Sequence, residues 1–308
     1  MTQTRSRAIV GIFALITLLF IIFLIFAFYT ISSLRSTSKN IENGMFDNTE
    51  APIAVISIKG VIMDSKKAIE SLFLAEKNKN IKAIILRIDS PGGAVGPTQE
   101  IYEEIRRIDQ KIPVYASFGT VAASGGYYLG AATRKIYTNA GTLTGSIGVI
   151  MQFADMSKLY EFVKIKPQVI KAGKYKDIGS PSREMTAEEK ALMDNMITKV
   201  HLQFIKDIMV TRKDRIKGDV MEHAQGQIFS GEEAMELGLV DEVAGLWEAG
   251  RRIHKDLKLK GEFDMQFIKL KKKFSFTEFF EGMEEAEERL KNLFQAQTTA
   301  PLFLYQPK

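Results

Sequence analysis

Apolar and polar positions along the chain fall into three regimes. The first is an unbroken apolar run, AIVGIFALITLLFIIFLIFAFYT (Ala8 to Thr30), with no charge, no proline and one glycine. At ~1.5 Å per residue, about 22 apolar residues give roughly 33 Å of helix, enough to cross a hydrocarbon core. A cleaved signal peptide has a shorter apolar stretch, about 7–15 residues, and a small-residue cleavage site. Neither is evident, so the pattern predicts an uncleaved anchor over residues 1–30. Arg5 and Arg7 precede the run, and Arg35 and Lys39 follow it. This weak bias leans towards a cytoplasmic N-terminus and an external body.

The second regime is a polar stretch, residues 31–50, read as a linker. The third is a body in which β-branched runs alternate with helix-periodic segments. PIAVISIKGVI (Pro52 to Ile62), IKAIILRID (Ile81 to Asp89), IPVYASFG (Ile112 to Gly119) and KIYTN (Lys135 to Asn139) read as strands. Between them, KKAIESLFLAEKNKN places Ile69, Leu72 and Phe73 on one helical face. PTQEIYEEIRRID does the same with Ile101, Ile105 and Ile108. Such alternation predicts an α/β fold, a parallel sheet covered by helices. Two further helices carry capping-box patterns, Thr186 with Glu189 and Ser230 with Glu233. After about residue 260 the pattern changes. A basic cluster, KLKKK (Lys269 to Lys273), precedes an acidic amphipathic segment, FTEFFEGMEEAEERLKNLF, and an extended apolar tail, TTAPLFLYQPK. The expected organisation is anchor 1–30, linker 31–50, body 51–260 and C-terminal extension 261–308.

Composition narrows the chemistry. There is no cysteine, which excludes thiol catalysis, disulfides and cysteine metal sites. The net charge of +5 is modest, and no basic face with interleaved aromatics suggests nucleic-acid binding. The KLKKK cluster reads as a solvated linker or a touch to anionic lipid head groups.

In a parallel sheet, ligands sit at the carboxyl ends of strands. Both glycine-rich stretches, SPGGAVG and TVAASGG, fall there. Ser124 in the second opens a helix, where unpaired N–H groups and a partial positive charge favour an anion. The Gly125 N–H could face an oxyanion beside Ser124, with Gly93 supplying a second donor from the neighbouring strand end. Ser124 could also be a simple N-cap. A nucleophile needs a base, and His201, His223 and His254 all lie in packed or surface settings away from strand ends. The surroundings also lack the GxSxG elbow. A lysine can serve if its amine is neutral, which requires a dry, uncharged setting. VIKAGKYKDIGSPSREMT offers Lys171, Lys174 and Lys176, and composition does not choose among them.

Five motifs in order, DSPGG, AASGGYY, GTLTGSIGV, GKYKDIGSPSREMT and GQIFSGEEAMELGLVDE, resemble the signal peptide peptidase A family. These are membrane-anchored Ser–Lys proteases with a Clp protease/crotonase-like fold. The resemblance implies Ser124 as nucleophile, Lys176 as general base and Ser146 as the hydroxyl that positions the lysine amine. It implies no cofactor and no metal. It also implies peptide substrates (cleaved signal peptides), a ring-like homo-oligomer, and a bacterial inner-membrane location with the catalytic body extracytoplasmic. Two other readings share the fold: a non-catalytic membrane scaffold and a crotonase-like acyl-thioester enzyme. The apolar tail is expected either to hang free or to lie in a substrate groove as an added strand.

Overall fold

The computed structural model describes residues 51–270, the strand residues 302–304, and helical positions at 20–23 and 26. The chain divides into two units, Met1–Thr49 and Glu50–Lys308. In the first, the described helical positions are exposed and apolar, including Phe20, Phe23 and Phe26. Most of the expected anchor, all of the linker and the acidic amphipathic segment lie outside the described residues. Among the described residues no helix is long and apolar enough to cross a membrane.

The second unit is built on one sheet. The apolar runs become β1 (Ile53–Lys59), β2 (Ala83–Ser90) and β4 (Val114–Ala123). They pair in parallel, with β2 between the other two. Edge strands complete the sheet: β9 (Met265–Phe267) beside β1, and β6 (Leu143–Gly145) and β5 (Ile136–Thr138) beside β4. Beyond them lie β7 (Ile228–Ser230) and β8 (Glu242–Val243). The sheet is mixed rather than wholly parallel, because β7 runs antiparallel to β6. The excursion between them returns the chain to the end it left, so Ile228 at the start of β7 pairs with Gly145 at the end of β6.

Helices α1 (Lys66–Lys77), α2 (Val95–Asp109), α3 (Gly125–Ala131) and α5 (Ala187–Arg212) pack on one face. The Ile101, Ile105 and Ile108 stripe of α2 is buried as the spacing predicts. Each such side chain contributes roughly 1.5–3 kcal/mol on burial. On the other face, α8 (Leu246–Asp256) covers a smaller core through Ala249 and Ile253. Short helices α4 (Ser157–Phe162), α6 (Val220–His223) and α7 (Gly231–Glu236) lie in the connections. Both predicted capping boxes form, at Thr186 with Glu189 and at Ser230 with Glu233. Arg212, fully buried near the end of α5, donates to Asp241 Oδ2 at 2.6 Å and to the Gly238 carbonyl at 2.9 Å. Asp241 also accepts from the Ile136 amide at 2.7 Å, tying α5 to the sheet.

Strand β4 runs four residues further than the sequence pattern suggests, up to the residue before Ser124. Between Ile88 and Ser90 the β2–β4 register shifts. Asp89 patches this bulge: its Oδ1 accepts from the amides of Thr120 at 3.0 Å and Val121 at 3.1 Å. A Cβ at Gly119 would sit 2.8 Å from the Asp89 Cγ, which explains the glycine.

Candidate active site

Four of the five candidate site residues gather at the carboxyl ends of β2, β4 and β6. Ala123 pairs with Gly145, so Ser124 and Ser146 follow partnered residues on adjacent strands. The Ser124 amide donates to the Gly145 carbonyl at 2.8 Å, and the Ser124 carbonyl accepts from Tyr128 at 2.9 Å. Between these bonds the chain turns sharply from strand to helix. Ser124 takes φ 51° and ψ −115°, a conformation that is strained for a residue with a side chain. Such a turn holds a nucleophilic oxygen clear of the strand. Ser124 is 1 % exposed, and its Oγ has no hydrogen-bond partner among the described residues. A buried hydroxyl without a partner is costly, and one at a strained strand-to-helix turn marks a place kept for chemistry.

Gly125 opens α3, so its N–H has no acceptor within the helix. Gly126 lets α3 approach β2, since a Cβ there would lie 2.6 Å from the Ser90 carbonyl oxygen. Gly93 lies in β3 (Gly92–Ala94). On one side of it, Ile62 donates to the Gly92 carbonyl at 2.9 Å and accepts from the Ala94 amide at 2.8 Å. The Gly92 amide is taken by Ser90 Oγ at 3.1 Å. Because backbone groups alternate along a strand, the Gly93 N–H and C=O point the other way. On that side lies β10 (Leu302–Leu304), antiparallel, with Phe303 opposite Gly93. A Cβ at Gly93 would stand 2.0 Å from the Ile62 carbonyl oxygen, so only glycine fits.

Ser146 also has a left-handed backbone, φ 49°, and is nearly buried. Its amide donates to the Gln227 carbonyl at 2.6 Å. The threonines of GTLTGSIGV pin this segment to β4: Thr142 Oγ1 donates to the Gly119 carbonyl at 2.6 Å and Thr144 Oγ1 to that of Ala122 at 2.7 Å.

Lys176 stands apart. It lies in an exposed loop, and the structure does not bring its amine within hydrogen-bonding distance of Ser124. The dry setting expected from the sequence is not supplied by this single chain. The three lysines nevertheless differ. Lys171 pairs with Asp177, and its Nζ donates to the Lys174 carbonyl at 3.1 Å. Lys174 pairs with Glu188 at 2.5 Å, which raises its pKa. Of the three, Lys176 is the one whose amine is not engaged by a carboxylate among the described residues.

Sequence reasoning missed the latch beside that loop. Arg183 donates to Asp177 at 2.9 and 3.0 Å and to Glu189 at 2.6 and 2.8 Å. Its guanidinium holds the Asp177 carboxyl well below the usual range, with help from Lys171. It also brings Glu189 down to about 2, with help from the Thr186 amide. The signal was the Asp and Arg of GKYKDIGSPSREMT, but their pairing spans a turn that periodicity does not reveal. No histidine bonds to the Ser124 hydroxyl: His223 Nε2 contacts the Lys217 carbonyl, His254 packs against Phe263, and His201 Nε2 is buried without a partner among the described residues. Among the described residues no cluster could hold a metal ion.

An α/β body with a serine at a strained strand-to-helix turn, beside glycine amides at strand ends, defines a class of serine hydrolase. The sequence profile of peptidase family S49 matches residues 106–260, and that of Clp protease matches residues 52–143. A provisionally named protease of Synechocystis sp. is 40% identical over 195 residues, 63% of this chain and 70% of that protein. A provisionally named signal peptide peptidase, SppA, of Enterococcus faecium is 30% identical over 237 residues, 72% of this chain and 68% of that protein. The chloroplastic serine protease SPPA of Arabidopsis thaliana is 34% identical over 195 residues, 63% of this chain but 29% of that protein. The chain belongs to peptidase family S49, a family of serine proteases, and its body has the Clp protease-like fold.

Proposed function

We propose that the chain is a membrane-anchored endopeptidase that hydrolyses remnant signal peptides with Ser124 and Lys176. The observation that carries the reading is the buried Ser124 Oγ, without a partner, at a strained turn between Gly145 and α3. Lys176 takes the Ser124 proton as Oγ attacks the scissile carbonyl. The oxyanion rests on the N–H groups of Gly93 and Gly125. Lys176 then protonates the leaving amine and activates the water that clears the acyl-enzyme. Ser146 positions the lysine amine, because a hydroxyl can donate to neutral nitrogen.

Lys176 must be dried to act. Val169 and Ile170 precede it and Tyr175 adjoins it, all of them exposed apolar side chains. A second copy covering this segment would bury them and remove water from the amine, which supports a ring-like homo-oligomer. The apolar run Ala8–Thr30 supports a bacterial inner-membrane anchor, with the body outside and close to its apolar substrates.

The pairing of β10 with β3 supports the groove reading of the tail. A strand antiparallel to Gly92–Ala94 is how a peptide substrate would present a carbonyl to the Gly93 N–H. In this reading the chain's own segment occupies its substrate position.

The test is labelling with a serine-directed acylating probe, together with hydrolysis of an apolar peptide. Ser124→Ala abolishes both, and Lys176→Ala loses hydrolysis and slows labelling. Equal labelling in native protein and Lys176→Ala would remove the lysine from its role. Retained hydrolysis in Ser124→Ala would remove the serine.

A further inference from the structure

The proposed chemistry leaves one fully buried hydroxyl unused. Ser90, the last residue of β2, is buried between the two elements that carry Gly93 and Gly125. Its Oγ accepts from the Gly92 amide at 3.1 Å and stands 3.4 Å from the Gly92 carbonyl oxygen. Its own carbonyl backs onto α3 at Gly126, the residue after Gly125. Pro91 and Gly92 carry the chain from β2 into β3, with Gly92 at φ 109°, a value open to glycine.

The backbone groups of β3 are divided between two sides. The Gly92 amide goes to Ser90 Oγ, and the Gly92 carbonyl accepts from the Ile62 amide at 2.9 Å. The Ala94 amide donates to the Ile62 carbonyl at 2.8 Å, and the Ala94 carbonyl accepts from Thr98 Oγ1 at 2.7 Å. Those of Gly93 are turned the other way, towards β10.

The Gly93 N–H shares a planar peptide unit with the Gly92 carbonyl, and the two point in opposite directions. Turning that unit over would put a carbonyl oxygen where an oxyanion must rest. Glycine on both sides makes the rotation easy. The Ile62 amide resists it from one strand away, through backbone alone. Ser90 resists it by holding Gly92 itself, and among the described residues it is the only side chain bonded to Gly92.

We infer that Ser90 is a positioning residue, whose hydroxyl keeps the Gly92–Gly93 peptide unit in the orientation that aims the Gly93 N–H at the reacting carbonyl. It touches no substrate and moves no proton. The role rests on the reading of Gly93 as an oxyanion donor.

The test compares the full native chain with Ser90→Cys and Ser90→Ala, on hydrolysis of a soluble apolar peptide and on inhibition by the matching peptide aldehyde. Ser124 Oγ adds to the aldehyde carbon, and the former carbonyl oxygen then sits as the oxyanion does. Sulfur accepts a hydrogen bond weakly, so kcat falls from native through Ser90→Cys to Ser90→Ala. The loss in Ser90→Ala is about tenfold or more, up to the 10²–10³ of a missing donor. KM holds, and aldehyde affinity falls by the same factor as kcat/KM, as for an interaction made in the transition state. Thermal melts check that each variant is folded, and Ser90→Cys, close to the native size, carries the comparison if Ser90→Ala folds poorly. A native kcat in the variants overturns the inference. So does a loss expressed in KM with kcat retained, which would mean that the hydroxyl holds β3 for the pairing strand and no more. Ser90→Cys falling below Ser90→Ala also overturns it, because the effect would then be one of packing. If the native protein binds the aldehyde no tighter than the uncleaved peptide, the oxyanion reading of Gly93 fails, and the role of Ser90 with it.

Discussion

The Ser124 amide is bonded at 2.8 Å to the carbonyl of the residue just before Ser146, and the two serines share a left-handed backbone, φ 51° and 49°. The strand ends β4 and β6 thus turn together, and whatever moves one serine moves the other. Ser146→Ala is expected to lower kcat, with Ser124 still slowly acylated by a strong probe. Ser146→Thr restores part of the rate.

Lys176→Ala should lower peptide hydrolysis by about 10²–10⁴-fold, the usual contribution of a general base. Lys171→Ala and Lys174→Ala should change it little, because Asp177 and Glu188 already hold those amines. Steady-state rates on one apolar peptide across the three variants make the comparison. A deficit in Lys174→Ala matching that of Lys176→Ala would contradict the assignment.

Gly93→Ala should abolish turnover. The added methyl would meet the Ile62 carbonyl oxygen at 2.0 Å, so β3 must shift and carry its amide away. Loss of an oxyanion donor alone typically costs about 10²–10³ in kcat. Thermal melts beside kinetics separate the local shift from global unfolding.

Deleting residues 298–308 removes β10 from the Gly92–Ala94 edge. Hydrolysis of added peptide should then rise, chiefly through a lower KM. Unchanged kinetics in the truncated protein would argue that the strand does not compete with substrate.

Acid should loosen the lysine-bearing loop before the body. Arg183 depresses the pKa of Asp177 and brings Glu189 to about 2, from an ordinary 4.5. A depressed carboxylate contributes stability that is complete above its unfolded pKa and is lost as pH falls through its folded one. Glu189 therefore defines a window from about 4.5 down to about 2. Limited proteolysis across that range should show cuts near residues 173–185 first, and Arg183→Met should show them already at neutral pH.

Arg212→Ala removes the buried one of the two cations on Asp241, leaving Arg215 at 2.9 Å, and takes the donor from the Gly238 carbonyl. Removing one partner from a buried polar network typically costs about 1–3 kcal/mol. Denaturant melts should register it, with little change in the Ser124 site, which touches neither residue.

What the sequence made legible was local. The stripe of Ile101, Ile105 and Ile108, the β-branched strands and the two capping boxes depend on spacings of a few residues, and they appear as read. The placement of Ser124 and Gly93 at strand ends follows from the parallel alternation. The antiparallel β7 was not legible, because its partner β6 lies more than eighty residues away and its three residues carry no period. Nor was the Arg183 latch, which depends on how a turn folds back. The choice among Lys171, Lys174 and Lys176 was open in the sequence because ion pairing is a property of space. The exposure of Lys176 was unforeseen for a related reason: sequence describes what a base needs, not which surface provides it.

Strand β4 carries its hydrogen bonding without a break from Asp89's bulge patch to Ala123, whereas Lys176 rides on a surface turn fastened by one arginine. Under the proposed roles, the two halves of the reaction are built with unequal stiffness. A lone copy would carry a finished nucleophile and a base still exposed to water. Under those roles the lone copy is a latent enzyme, whose activity waits on whatever surface shields the loop from water.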